Sequence, residues 1–213
     1  IRITQERVVV EVNRGCRNLC KFCHAGYYDL PYRKFSWEWV RDRVFAMLDN
    51  TGYDEVSFAS LCLNDYRHLV ELLNGVLPGL TERGVSVALP SLRVEPDTVP
   101  VIEQVSDVRR ASLTFAVESA TDELRKMAFK RLHTADIISI IQKLYDRGWQ
   151  RVKLYFMIGL PGYRDHDEAA DIIALLNEIY SIGKNRLQLN VTVSPFVPKP
   201  HTDRKSTRLN SSH

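Results

Sequence analysis

The order of residues predicts an α/β domain, built from repeated strand–helix units around a parallel sheet. Three observations predict it. Short β-branched runs alternate with amphipathic stretches along most of the chain, the helical stretches end at glycines, and three crowded cysteines follow directly on the first strand, where parallel α/β folds carry their ligand loops. With 213 residues, 45% of them hydrophobic, the chain can close one sizeable core and is short for two.

The strands are expected at residues 8–12, 55–59, 85–89, 111–116, 151–158 and 187–194, each a short run rich in Val, Ile, Leu or aromatic residues. After the second strand, Tyr66, Leu69, Val70, Leu73, Val76 and Leu77 recur at three- and four-residue steps before Gly84, which marks one apolar helix face and its stop. Ile137, Ile138, Ile141 and Leu144 repeat the pattern before Gly148. Asp165 and Glu168 have capping-box spacing and open a helix carrying Ile172, Leu175, Leu176 and Ile179 towards Gly183. No close repeat or low-complexity linker interrupts this rhythm, so a single winding of βα units is expected.

Composition narrows the function. No apolar run approaches the roughly 18 residues that span a bilayer, and no signal-like segment opens the chain. Four cysteines are too few for a disulfide scaffold and point to metal ligands in a reducing, cytoplasmic setting. The net charge of +3 owes two charges to Arg204, Lys205 and Arg208 set against Asp203, and the remaining +1 gives no reason to expect nucleic acid. Residues 203–213 resemble a translated sequencing adapter; they are expected to be a disordered, artefactual tail. The first residue is not methionine and both ends look cut.

Residues 13–26 read Asn-Arg-Gly-Cys-Arg-Asn-Leu-Cys-Lys-Phe-Cys-His-Ala-Gly, a C-x3-C-x2-C spacing. One tight loop can direct Cys16, Cys20 and Cys23 at a single inorganic centre, with Gly15 and Gly26 relieving strain at its edges. Three is the telling number, because an electron-transfer 4Fe–4S cluster usually takes four cysteines and three leave one iron open. Two rivals stand beside this reading. A zinc module would add His24 or Cys62 as fourth ligand, and an iron–sulfur electron carrier would need a further cysteine such as Cys62. Structural zinc usually gathers two separated ligand pairs, and no second pair is near.

This spacing, with the aromatic Phe22 just before the last cysteine, resembles the signature of the radical S-adenosylmethionine (SAM) superfamily. The phrases NRGCRNLCKFCHAGY, SLCLNDY, LPSLRVE, LTFAVESAT, KLYFMIGLPG and VTVSPFVPKPHT, spread over nearly all of residues 8–202, are similar to a bacterial radical SAM family of unassigned reaction. Its full-length members place a cobalamin-binding-like domain before the barrel. The resemblance implies a partial (β/α)6 TIM-like barrel over residues 1–202, cut at both ends, and a 4Fe–4S cluster on Cys16, Cys20 and Cys23. By the same likeness the open iron chelates SAM, and the reduced cluster cleaves it to a 5′-deoxyadenosyl radical that takes hydrogen from an unknown substrate. An electron donor such as ferredoxin or flavodoxin is implied, and cobalamin only for the full-length parent.

The resemblance also suggests SAM contacts. Phe22 lies in the signature. Ser60 and Leu61 follow the second strand, where the family often carries Gly-Gly-Glu for the SAM ammonium; this sequence departs from that, leaving side chains or backbone carbonyls to serve. Asn64 and Asp65 read as loop caps. Ser91 and Arg93 after the third strand and Glu118 at the end of the fourth would meet the SAM carboxylate and ribose, with a plain ion pair as the competing account. Residues 155–162, including Tyr155 and Gly159, resemble the adenine-contacting strand. Pro195, Pro198 and Pro200 form an extended lip in this reading, with Lys199 facing substrate or solvent.

Overall fold

The computed structural model describes residues 6–88, 113–165, 167–184 and 186–202. In chain order the strands are β1 (Val8–Glu11), β2 (Asn13–Arg14), β3 (Arg33–Lys34), β4 (Glu55–Ala59), β5 (Ser86–Ala88), β6 (Leu113–Glu118), β7 (Arg151–Ile158) and β8 (Gln188–Pro195). The helices are α1 (His24–Tyr28), α2 (Trp37–Thr51), α3 (Leu69–Glu82), α4 (Asp122–Met127), α5 (Thr134–Asp146) and α6 (Glu168–Ile182). Two three-stranded parallel sheets run in chain order, β1-β4-β5 and β6-β7-β8. Parallel neighbours need a crossover, and helices supply it: α2 and α3 in the first half, α5 and α6 in the second. The fold is the predicted α/β winding, a partial TIM-like barrel.

The period-2 pattern fixes which face is covered. Val8, Val10, Val56, Phe58, Phe115, Val117, Val152, Leu154 and Phe156 are buried, and with Val40, Val44, Leu72, Leu73, Ile137, Ile141 and Ile179 from the helices they form one continuous core. Fully burying each such side chain contributes about 1.5–3 kcal/mol before the entropy of ordering is set against it. The intervening residues Glu11, Ser57, Ala59, Thr114, Ala116, Lys153 and Tyr155 lie on the opposite strand face and are half-buried. That face is more polar.

Strands two and five coincide with the sequence expectation, and the others differ by a residue or two at their ends. β6 reaches Glu118 rather than stopping at 116; the third strand's last residue and residues 111–112 lie outside the described part, as does 203–213. Three expectations need correction. Tyr66 precedes α3 instead of joining its face: it caps the end of a 3-10 turn (Leu63–Asp65), a further turn at 67–68 separates it from the helix, and its buried phenol donates to Phe35 O at 3.1 Å. The cap of α6 is Asp167, which accepts from Ala170 N at 3.1 Å, while Asp165 ends another 3-10 turn. Gly26 sits inside α1 with no positive φ, so it relieves no backbone strain.

The two-residue ladder β2–β3 was not legible in the sequence, since two residues carry no periodicity. It pairs Asn13 with Lys34 and Arg14 with Arg33 in antiparallel register, and Phe35 N donates to Val12 O at 3.1 Å. The chain between them therefore leaves and returns at one point, which clasps the cysteine loop at the carboxyl end of β1.

Candidate functional site

The cysteine loop starts at Gly15, whose φ of +82° favours glycine; a Cβ there would lie 2.7 Å from Asp29 O. Cys16, Cys20 and Cys23 are each half-buried and none is in a disulfide. Cys23 N donates to Cys20 O at 2.9 Å, closing the tight turn between the second and third. Tyr27 Oη donates to Leu19 O at 3.0 Å, and Lys21 N donates to Ala128 O at 3.0 Å. These bonds tie the loop to itself and to the segment leaving α4. A Cβ at Gly26 would stand 3.8 Å from Cys23 Sγ, an ordinary van der Waals contact.

A polar network underlies the loop. Ser60 Oγ donates to Asn13 Oδ1 at 2.7 Å and accepts from Cys62 N at 3.0 Å. Asn13, 2% exposed, donates to Tyr32 Oη at 3.2 Å, and Tyr32 donates onward to Asp65 O at 3.0 Å. Burial pushes the Tyr32 phenol above its ordinary pKa, so it remains a donor near neutrality. Asn18 Nδ2 lies 3.2 Å from Cys16 Sγ and 2.9 Å from Asp65 Oδ2. The loop after β4 thus holds the first cysteine through Asn18.

Two clefts flank the cysteines. One, of about 520 Å³, has Phe22 and Cys23 on one wall and Met157, Ser194, Phe196 and Lys199 among the residues of the other, so the loop faces the carboxyl ends of β7 and β8. The other, of about 500 Å³, includes Glu11, Arg14, Gly15, Ser60 and Leu61. Both fall in the size range of small-molecule sites. A further cleft, about 760 Å³, lies on α4 and the turn that follows it, around Lys126, Phe129 and Arg131. It contains no cysteine.

The sequence candidates distribute unevenly over this geometry. Phe22 and Cys23 line the β7–β8 cleft, and Ser60 and Leu61 line the β1–β4 cleft. Tyr155 shares the strand face of Met157, two residues on, and its ring lies 5.0 Å from Lys153 Nζ. Gly159 has φ +78° and donates its N–H to Glu168 Oε2 at 2.7 Å, tying the end of β7 to the start of α6. Glu118 sits at a bulge with φ +72° and pairs with Lys130 Nζ at 3.2 Å. Ser91 and Arg93 lie outside the described residues.

Among the rivals' extra ligands, Cys62 is 4% exposed at the start of the 3-10 turn, and the His24 ring stacks on Tyr28 at 5.3 Å. The His201 ring comes within 6.1 Å of the His24 ring. Among the described residues no three His, Cys, Asp or Glu side chains gather closely enough for a single metal ion. Ligands to one tetrahedral ion stand about 2.3 Å from it; those gripping separate corners of an iron–sulfur cube are spread more widely. Three half-buried thiols on one clasped loop, with room beside Cys23, form a donor set suited to three irons of such a cube.

Asn13, Asn18, Tyr32 and Lys130 were missed by sequence reasoning. Asn18 had a signal, since it lies between the first two cysteines, but nothing in the pattern aims its amide at sulfur.

Comparison with known proteins agrees with the α/β fold. The sequence profile of the radical SAM superfamily matches residues 10–176. An uncharacterized protein of Methanocaldococcus jannaschii is 31% identical over 200 residues, covering 92% of this chain and 41% of the relative. The chain therefore spans about two fifths of the curated relative it matches. The solved structure of TsrM, a radical SAM methyltransferase from Kitasatospora setae with cobalamin and a 4Fe–4S cluster bound, is similar with a TM-score of 0.70 at 13% identity, over 92% of this chain and 38% of that one. OxsB, a cobalamin-dependent SAM radical enzyme, gives 0.62 at 15% identity over 94% and 35%. Coproporphyrinogen III oxidase from Escherichia coli, a radical SAM enzyme, gives 0.59 at 12% identity over 95% and 46%. At these identities the likeness is one of fold.

Proposed function

Because the chain belongs to the radical SAM superfamily, we propose that Cys16, Cys20 and Cys23 hold a 4Fe–4S cluster and that the protein is part of an enzyme acting through SAM. The observation that carries this is the three half-buried thiols on one clasped loop, with Cys23 lining a cleft of about 520 Å³ at the strand ends. When bound, the cluster supplies the electron that cleaves SAM to a 5′-deoxyadenosyl radical, which takes hydrogen from a substrate of unknown class. Phe22 and Met157 provide the apolar walls that keep water from such a reactive carbon.

The remaining contacts follow the clefts. Ser60 Oγ is already engaged with Asn13 and Cys62 N, which favours the backbone carbonyls of Ser60 and Leu61 as acceptors for the SAM ammonium. Glu118 would accept from the ribose hydroxyls while Lys130 holds it in place. Tyr155 and Gly159 belong to the strand expected beside adenine, and Ser91 and Arg93 remain candidates for the carboxylate. Nothing observed at the buried Cys62 or at His24, whose ring stacks on Tyr28, favours the electron-carrier or zinc reading over the cluster.

A low-potential donor such as ferredoxin or flavodoxin would deliver the electron, and the oxygen-sensitive chemistry suits the cytoplasm. No described helix is long and apolar enough to cross a membrane. The similar folds of TsrM and OxsB make cobalamin a reasonable partner for a longer parent, with residues 1–202 as its barrel and 203–213 as a tail outside it. Anaerobic reconstitution followed by assay for 5′-deoxyadenosine from SAM and dithionite tests the proposal. Formation abolished by Cys20→Ala is expected; turnover unchanged in that variant would refute it.

A further inference from the structure

We propose that Asn18 and Asp65 set the reduction potential of the cluster in opposite directions, Asn18 raising it through an N–H donated to the Cys16 sulfur and Asp65 lowering it through its carboxylate charge. The inference rests on the cluster reading above. Its basis is the pair of contacts from one amide nitrogen, 3.2 Å to Cys16 Sγ and 2.9 Å to Asp65 Oδ2, with Cys16 Sγ itself 3.8 Å from that oxygen.

Chemistry decides the orientation of the amide. An ionised carboxylate only accepts, so Asn18 must turn its nitrogen to Asp65. The second N–H of the same nitrogen then points at sulfur. Asp65 is fixed in turn: its carbonyl accepts from Tyr32 Oη and its N–H donates to Cys62 O at 3.2 Å. Asn18 lies only two residues from Cys16, so donor and ligand move together when the thiolate binds iron.

A one-electron reduction adds negative charge that spreads onto the ligand sulfurs. A hydrogen-bond donor at Cys16 stabilises the reduced form, and a nearby carboxylate destabilises it. Removing each group should therefore move the potential in a different direction, an outcome that general loosening of the loop would not produce.

The test uses the full chain, reconstituted anaerobically with iron and sulfide and titrated with dithionite while the reduced-cluster EPR signal is followed, without SAM. Asn18→Leu keeps the side chain's approximate size and removes the donor; the reduction equilibrium should become about tenfold less favourable, about 59 mV lower for one electron. Asp65→Asn keeps an acceptor for Asn18 and removes the charge; the midpoint should rise. Midpoints unmoved, or moved the same way, overturn the proposal while leaving the cluster intact. If Asn18→Leu holds no cluster, Asp65→Asn decides alone, with an upward shift supporting and an unchanged value overturning. No cluster in the parent chain would overturn the cluster reading and this inference with it.

Discussion

Glu118 and Lys130 form an ion pair of 3.2 Å with only 14% and 10% of their side chains exposed. The pair spans α4, joining the bulged end of β6 to the turn before α5. Lys130 lies two residues beyond Ala128, whose carbonyl accepts from Lys21 N of the cysteine loop.

Removing one partner of a buried pair leaves an uncompensated charge, which typically costs about 3–5 kcal/mol. Lys130→Met should therefore destabilise by about 3 kcal/mol in urea titrations, and Glu118→Gln added to it should restore part of that. A double variant no better than Lys130→Met would show that the two side chains are not energetically coupled.

Arg125 is fully buried and donates to Leu132 O at 2.9 Å, to Ser119 O at 2.5 Å, to Thr134 Oγ1 at 2.5 Å and to Asp122. Burial alone would raise the Asp122 carboxyl, but hydrogen bonds from Arg125 and Thr134 outweigh it and hold the group below its ordinary pKa. A depressed folded-state pKa contributes stability that is present above the unfolded value, about 3.9, and is lost as pH falls through the folded value. Asp122→Asn should flatten the acid limb of the stability curve below about pH 4 and leave its neutral-to-alkaline shape unaltered. An acid limb identical to that of the parent would contradict this account.

Tyr66 provides the opposite sign. Its phenol is pushed up to about 12, chiefly by burial, and donates to Phe35 O at 3.1 Å. An acid whose folded pKa is raised contributes stability that is complete below its unfolded value, about 10, and disappears as pH rises through about 12. Tyr66→Phe should cost about 1 kcal/mol at neutral pH for the lost hydrogen bond and should make the protein less sensitive to alkali between those values. Thermal melts recorded from pH 8 to 12 would measure both.

The parallel architecture, and the place of the cysteine loop after the first strand, were legible because they follow from periodicity and spacing, which are properties of runs of residues. The alternation in β4 and β7, for example, places Phe58 and Phe156 inside without ambiguity. What stayed hidden depends on single side chains meeting across long separations. Asn13 meeting Ser60, and Asn18 meeting Asp65, require the β1–β4 register to be known first. The mistaken helix start at Tyr66 has a similar cause: its apolar phase matches α3, yet burial against Phe35 is achieved from a turn.

Gly15 offers a test of how far the loop's backbone controls the proposed metal site. An L residue at φ +82° costs about 1–2 kcal/mol, and a Cβ 2.7 Å from the Asp29 carbonyl oxygen forces the loop to shift as well. Since the loop is clasped by only two residue pairs, the shift should unseat the thiols before it unfolds the core. Gly15→Ala is therefore expected to lose most of its iron on reconstitution while its far-UV circular dichroism stays like the parent's. Full iron content in this variant would show that the cysteines organise the site without help from the turn.

The cleft between the cysteine loop and β7–β8 makes the most direct prediction about activity. Met157 stands on that wall in register with Ser194, opposite Phe22 and Cys23. It belongs to strand β7 and makes no contribution to the thiol loop's backbone. Met157→Trp would fill part of the roughly 520 Å³ with a rigid ring, so SAM should bind at least about tenfold more weakly, a loss of about 1.4 kcal/mol. Iron content and the EPR spectrum without SAM should match the parent's, because the change touches the cleft and leaves the cysteine loop alone. If SAM affinity is preserved, the cofactor lies elsewhere, and the β1–β4 cleft around Ser60 and Leu61 becomes the place to look.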